Sequence, residues 1–399
     1  MKKHLACLLA MLLLFSPVGT AFAADEAETL RFREDGTFTI LHITDTQDDH
    51  HPSPEMLNLL KRSVEESDPD LIVFTGDVVE DSRVGDPGVD DEPLREGVCV
   101  YNAKREILVD KTLENIKTAT DAVFSVLEET GVPYVVAQGN NDHKCGITNA
   151  DWLEIYGQYP HNLTKDMSDD AEGRIDGTLL ICGADGKAKC NVWTMDSGLG
   201  GVNADQIDWY KRSSAEITAE NGGTPIPALL FQHIPTSDVG NLFTECRAWE
   251  DGATAKGTKF YRLDPAVATG NNFYAYTPCE PSGQFKAWKE CGDVMGAYFG
   301  HQHVEGFTGT CDGIELGLTY GMEFAKTGPY GYRVITLHEE DVTSFDNELF
   351  IYTGSVKLGT DKIEKQNDEQ PEHHSFTKVF AYLRNIIKAM ISMITSMFG

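Results

Sequence analysis

Five short apolar runs punctuate the chain: FTILHIT at 38–44, LIVFT at 71–75, YVVAQ at 134–138, ALLFQ at 228–232 and GAYF at 296–299. Each is rich in β-branched or aromatic residues, the pattern of a strand buried on both faces. Between the first two runs, Met56, Leu59, Leu60 and Val64 recur at helical spacing behind Pro54. Between the second and third, Leu113, Ile116, Val123, Phe124 and Leu127 do the same. Strand–helix–strand alternation predicts an α/β protein with a largely parallel sheet at its centre. Acidic stretches bearing Gly and Asn, at 81–110 and 143–190, read as insertions over the strand ends.

The two ends of the chain follow other patterns. Lys2 and Lys3 precede an apolar segment from Leu5 to Phe15, and Ala21-Phe22-Ala23 offers a small-residue cleavage site. Residues 1–23 therefore read as a signal peptide, which predicts export. Residues 357–374 are polar without periodicity and read as a linker between a main domain at 24–356 and a last segment at 375–399. In that segment Phe376, Val379, Phe380, Leu383, Ile387 and Ile391 share one helical face, and the charges nearby, Lys378, Arg384 and Lys388, are all basic. Arg384 and Lys388 interrupt the apolar run too often for a membrane span. The amphipathic helix either docks on its own domain or a second subunit, or makes peripheral membrane contact at the interface.

Composition narrows the chemistry. With 63 acidic against 33 basic residues the formal charge is -30, so no nucleic-acid-binding surface is evident in the main body. A phosphate-bearing substrate stays compatible if cations lie between it and the protein. Nine cysteines, one of them Cys7 in the signal segment, leave eight in an exported chain. An even number in an oxidising compartment predicts disulfides, and Cys182 and Cys190, flanking GADGKAK, form the pair that the pattern singles out.

Each apolar run ends in residues able to hold a metal: Asp45-Thr46-Gln47, Gly76-Asp77, Gly139-Asn140, His233, and Gly300-His301-Gln302-His303. Ligands gather at the carboxyl ends of strands in open α/β sheets, so five separate ends would converge on one place. Carboxylate, amide and imidazole groups together suit hard or borderline cations. Glycine before Asp77, Asn140 and His301 would let the backbone turn sharply from strand into loop. His42, inside its strand, reads as a hydrogen-bonded structural residue.

These blocks resemble those of the calcineurin-like metallophosphoesterases, whose usual pattern is D-x-H, G-D, G-N-H-D, a lone H and G-H-x-H. The flanking matches WTMDSG (193–198), QIDWY (206–210), FQHIP (231–235), PCEPSGQFKAWKECGDVMGAYFGHQHVEGF (278–307) and GPYGYRVITL (328–337) are closest to the purple-acid-phosphatase-like branch without an N-terminal β-sandwich. The resemblance spans about residues 35–340. It implies two packed central β-sheets flanked by helices, a four-layer α/β sandwich. It further implies two divalent ions (Mn, Mg, Zn or Fe), one held by Asp45, Gln47, Asp77 and His303 and the other by Asp77, Asn140, His233 and His301. A hydroxide shared between the ions would attack a phosphate ester in line, with phosphomonoesters favoured.

Two positions depart from the family pattern. Gln47 offers a neutral carbonyl where imidazole is usual, so its ion should bind more weakly and be harder. Asn141 stands where the family has the histidine that protonates the leaving group, a service typically worth about 10²–10⁴-fold. His143, and His50 or His51, are candidates to replace it. The tyrosine ligand of the purple enzymes is here Glu80, which argues against a tyrosinate–iron centre. A second function class therefore stays open: a catalytically weak or inactive member that binds metal or a phosphorylated ligand.

Overall fold

The computed structural model describes residues 29–80, 84, 105–169, 173–273, 281–324, 328–352 and 362–366. The expected signal peptide, most of the first expected insertion and the expected C-terminal amphipathic helix lie outside the described residues. In chain order, β1 (Thr37–Ile43), α1 (Pro54–Ser67), β2 (Leu71–Phe74), α2 (Arg105–Glu128) and β3 (Tyr134–Val136) realise the predicted alternation. Two short helices, α3 (Asn140–Lys144) and α4 (Asn149–Tyr156), precede the hairpin β4 (Gly177–Cys182) and β5 (Ala188–Met195). Next come α5 (Ala204–Glu220), β6 (Ala228–Gln232), and a small sheet of β7 (Phe243–Cys246), β8 (Thr254–Lys256) and β9 (Lys259–Leu263). Then follow β10 (Ala268–Asn271), α6 (Gln284–Cys291), β11 (Val294–Phe299), β12 (Gly306–Cys311) and β13 (Ile314–Leu318). The described chain closes with β14 (Tyr330–His338), β15 (Asp346–Tyr352) and β16 (Ile363–Lys365).

The predicted strands do not share one sheet. Strands β1, β2 and β3 are parallel neighbours in a six-stranded sheet, β16-β15-β14-β1-β2-β3, whose other pairings are antiparallel. Strands β6 and β11 belong to a second sheet, β10-β12-β13-β11-β6-β5-β4, with parallel pairing confined to β5, β6, β11 and β13. Residue alternation explains the stacking. In β1, Phe38 and Ile40 face the second sheet, where they join Leu229, Phe231 and Tyr298, while Leu41 and Ile43 pack under the helices with Leu59, Leu60 and Phe124. On the far side of the second sheet, Leu230 and Phe299 pack with Trp209 of α5 and Trp288 of α6. The result is helix, sheet, sheet, helix. With both faces of each sheet covered, the central strands carry unbroken apolar runs; each fully buried Leu, Ile or Phe contributes about 1.5–3 kcal/mol.

Several readings change. The stretch 143–190 is not a plain insertion, because it supplies α4, β4 and the first residues of β5. Within the expected linker, Ile363–Lys365 adds a strand beside β15. Cys182 and Cys190 are not bridged: Cys190 lies opposite Ile181 in the hairpin, so period-two alternation sends Cys182 to the other face. Among the described residues, Cys182, Cys190, Cys246, Cys291 and Cys311 are free thiols. Among the described residues no helix is long and apolar enough to cross a membrane.

Candidate metal centre

The parallel triplet β1-β2-β3 brings Asp45, Gln47, Asp77 and Asn140 to one edge of the first sheet. The parallel pair β6-β11 brings His233, His301 and His303 to the facing edge of the second. The backbone bends hard there. Of seven described non-glycine residues with positive φ, five are Asp45 (52°), Gln47 (35°), Asp77 (51°), His301 (70°) and His303 (31°). This region costs roughly 1–2 kcal/mol per residue outside glycine, and strain collected in one place marks a functional site. His301 and His303 thus share a site through these turns in the loop after β11, not through strand alternation.

The glycines serve close approach more than turning. Gly76 does take a left-handed φ of 73°. Gly139 is extended, at φ -105°, and a Cβ there would stand 2.2 Å from Asp77 Oδ1. A Cβ on Gly300 would fall 1.9 Å from Thr44 Oγ1 and 2.6 Å from Asp45 Oδ2.

The ligand atoms form two groups that share Asp77. In Asp77–His233–His301 and in Asp45–Asp77–His303, the atoms lie within 4.8 Å of one another. His233 donates Nδ1–H to the Thr75 carbonyl (2.7 Å), which aims Nε2 into the centre. Around that nitrogen stand Asn140 Oδ1 at 3.1 Å, Asp77 Oδ2 at 3.2 Å and His301 Nδ1 at 3.2 Å. At the other end, Asp45 Oδ1 is buried and accepts no hydrogen bond, with His303 Nε2 3.4 Å away. Asp45 Oδ2 accepts from the His301 backbone N–H (2.9 Å).

Electrostatics fit a cation. Burial opposes ionisation of Asp77, yet the His233 charge and the Asn141 N–H groups hold its carboxyl below the ordinary carboxylate range. Burial also works against a charge on His233, but Asp77 and Asp45 overcome it and raise the imidazole to about 9. His301, desolvated and beside that charge, is pushed down to about 3. The cluster thus gathers positive charge onto one imidazole nitrogen facing two oxygens and a neutral nitrogen. A divalent ion would displace that proton and meet four lone pairs. The donor set and the orphaned Asp45 oxygen both suit metal ions: Asp77, Asn140, His233 and His301 would hold one, and Asp45, Asp77 and His303 a second.

The departures become concrete at Asp77. Gln47 donates Nε2–H to Asp77 Oδ2 (2.7 Å), so it presents its amide nitrogen, not the expected carbonyl, to the shared carboxylate. Asn141 donates from its side chain to the same oxygen (2.5 Å) and from its backbone to Oδ1 (2.7 Å). His143 is tethered by Asp196, its Nε2 2.6 Å from Asp196 Oδ1. His50 and His51 pack on each other, ring centroids 4.2 Å apart, beside Asp49. As expected of a structural residue, His42 is buried between Thr75 Oγ1 (2.8 Å) and Thr319 Oγ1 (2.9 Å).

Sequence reasoning gave no role to three side chains that shape the site. Glu323 Oε2 lies 2.8 Å from His303 Nδ1 and orients that ring. Asp142 accepts from the backbone N–H groups of Asp77, Val78, Val79 and Gly139, fastening two strand ends together. Burial, then the Asp77 charge, push its carboxyl up to about 7. Asp196, buried after β5, anchors His143. Two of them lay in matched motifs, Asp142 as the last letter of G-N-H-D and Asp196 within WTMDSG.

Several known proteins are similar to this chain. "Probable inactive purple acid phosphatase 14" of Arabidopsis thaliana is 25% identical over 348 residues, covering 76% of this chain and 75% of its own. "Probable inactive purple acid phosphatase 29" from the same plant is 24% identical, with 78% of each chain covered. A crystal structure of a dimetal phosphatase from Danio rerio aligns with 83% of this chain and 99% of its own, at 12% identity and a TM-score of 0.45. The profile of the calcineurin-like phosphoesterases matches residues 38–305, and the chain belongs to that family.

Proposed function

We propose that this chain is an exported, metal-dependent hydrolase of phosphate esters, with phosphomonoesters favoured. The observation that carries the reading is the convergence of six side chains, from four strand ends in two sheets, on the shared carboxylate of Asp77 at a fifth. Divalent ions held there would neutralise the phosphate and lower the pKa of the attacking water. Water adds to phosphorus, the ester P–O bond breaks, and the departing oxygen takes up a proton. Asn141 cannot supply that proton, since an amide is no acid, and its backbone N–H and side-chain amide both donate to Asp77. His143 is the candidate donor: burial lowers its proton affinity, but the Asp196 hydrogen bond and charge raise it above the ordinary histidine value. The N-terminal signal segment supports export.

Asp77→Asn tests the reading. It should abolish phosphatase activity assayed with added Mn, Mg, Zn and Fe, and should lower the metal content of the purified protein. Full activity with unchanged metal content would overturn the shared centre. One observation favours a second reading, a weak or non-catalytic member that binds metal or a phosphorylated ligand. Gln47 and Asn141 both donate to Asp77 Oδ2, part of the carboxylate that a second ion would share. Metal-dependent turnover separates the two.

A further inference from the structure

The last described residue, Gln366, follows β16 within the stretch that reads from sequence as a polar linker. A linker side chain belongs in water, yet Gln366 is only 7% exposed. Its backbone N–H donates to the Leu349 carbonyl of β15 (2.7 Å), in the first sheet. Its side chain crosses to the second sheet. Gln366 Oε1 accepts from Tyr320 OH (2.7 Å) and from Asn271 Nδ2 (3.4 Å), while Nε2 donates to the Gly306 carbonyl (3.1 Å). With both ends of the amide paired, its burial is compensated and the side chain is held in one place.

The two second-sheet residues that Gln366 joins stand on either side of His303. Gly306 ends the loop between β11 and β12 in which His303 lies. Tyr320, beyond the end of β13, precedes Gly321, whose N–H donates to the His303 carbonyl (2.7 Å). The buried Tyr320 ring presses on Gly306 so closely that a Cβ there would clash with it. The same stretch also backs Asp45: a Cβ on Gly321 would stand 2.9 Å from Asp45 Cβ, and Met322 N–H donates to Asp45 O (3.0 Å). Asp45 and His303 are the pair expected at the second ion. His303 holds a φ of 31°, and a strained residue keeps such a conformation only where its surroundings impose it. At the first ion the supports are different, with His233 oriented by the Thr75 carbonyl and Asn140 set at the start of α3.

We propose that Gln366 is a positioning residue for the second metal ion, tying Tyr320 to Gly306 and so fixing the loop that presents His303. The inference rests on the metal-binding reading and extends the centre to a residue beside β16, the outermost strand of the first sheet. An ion at Asp45 and His303 meets an imidazole already in place when the loop is fixed. When the loop is loose, part of the binding free energy goes into ordering it, and affinity falls.

Gln366→Met tests the proposal in the full chain, because it keeps the length of the side chain and removes the amide. In chelator-treated protein, hydrogen exchange at the Gly321 amide, followed by NMR, should quicken by about tenfold, the scale of one or two hydrogen bonds. In calorimetric titrations with Mn the second step should weaken by about tenfold, while the first stays within about twofold of the native value. Tyr320→Phe removes only the hydroxyl and should move the same two readouts in the same direction to a smaller extent; it carries the test if Gln366→Met fails to fold. Native exchange at Gly321 with an unmoved second step in the folded variants, or equal weakening of both metal steps, would overturn the assignment. Exchange is read without metal. A native chain that takes up no second ion, yet loses protection at Gly321 in Gln366→Met, therefore keeps the hold on the His303 loop and loses only the metal reading.

Discussion

The replacement of two histidines by amides predicts unequal affinity for two metal ions, and Gln47→His tests it. Asp77 Oδ2 accepts from Gln47 Nε2 at 2.7 Å and from Asn141 Nδ2 at 2.5 Å. Hydrogen bonds to a charged group are worth about 1.5–3 kcal/mol each. That oxygen also stands beside His233, so a second ion near Asp45 that shares the Asp77 carboxylate must make at least one amide give way, at a cost of about 1.5 kcal/mol or roughly tenfold in affinity. The ion among Asn140, His233 and His301 displaces a proton instead, and should bind first. Titration of chelator-treated protein with Mn or Zn, followed by calorimetry and native mass spectrometry, should therefore show two steps separated by about ten- to hundredfold. Gln47→His removes one competing donor and supplies a nitrogen ligand, so the second step should tighten by about tenfold or more. Two steps within about threefold of each other in the native chain, or a second step unmoved in a folded Gln47→His protein, would refute the reasoning.

Glu323→Gln should loosen His303 and weaken the second metal step by about 10–100-fold, with a circular-dichroism spectrum matching the native chain; an unchanged titration would deny Glu323 its orienting role. Aryl phosphates should be hydrolysed far faster than alkyl phosphates, and Asn141→His should narrow that gap, within the range of about 10²–10⁴ typical of general acid catalysis; equal native rates for both esters would mean that another acid already serves. The His143 imidazole should titrate above 6.5 by NMR, and Asp196→Asn should lower that value. Since the folded pKa is raised, the stability contributed by this pair is complete below pH 6.5 and is lost as pH rises through the folded value. Asp196→Asn should flatten that part of the stability profile, and an identical profile would refute the pairing.

What the sequence made legible was whatever depends on local pattern. Buried strands betray themselves because both faces are covered, so β1, β2, β3, β6 and β11 stood out as apolar runs, and the ligands stood out because they follow those runs directly. The grouping of strands was not legible by periodicity, since a run such as LIVF looks the same in either sheet. The small sheet β7-β9-β8 escaped because Lys259–Leu263 and its neighbours are half-exposed and mixed in polarity. Glu323 and Asp196 escaped for a different reason. Their roles depend on contacts with His303 and His143, 20 and 53 residues away in sequence, and no local spacing encodes such partners.

The centre lies where the two sheets meet, which ties its geometry to how the sheets pack. Several polar contacts cross from one sheet to the other near it. His233 donates to the Thr75 carbonyl, the His301 N–H reaches Asp45, and His42 bonds to Thr319. Deeper in, Arg333 of β14 is fully buried and donates to the carbonyls of Phe307 (3.0 Å) and Leu318 (2.7 Å) in the second sheet. Each hydrogen bond to such a charged group is worth about 1.5–3 kcal/mol, so Arg333 constrains the spacing between the sheets. His42 links the two regions, since its ring joins Thr319, which also accepts from Arg333, to Thr75, whose carbonyl orients His233. Apolar packing between the sheets would tolerate small slips, because dispersion contacts are not directional. A ligand cluster split between two sheets cannot tolerate them, and the buried arginine, threonines and histidine supply the direction that the apolar core lacks.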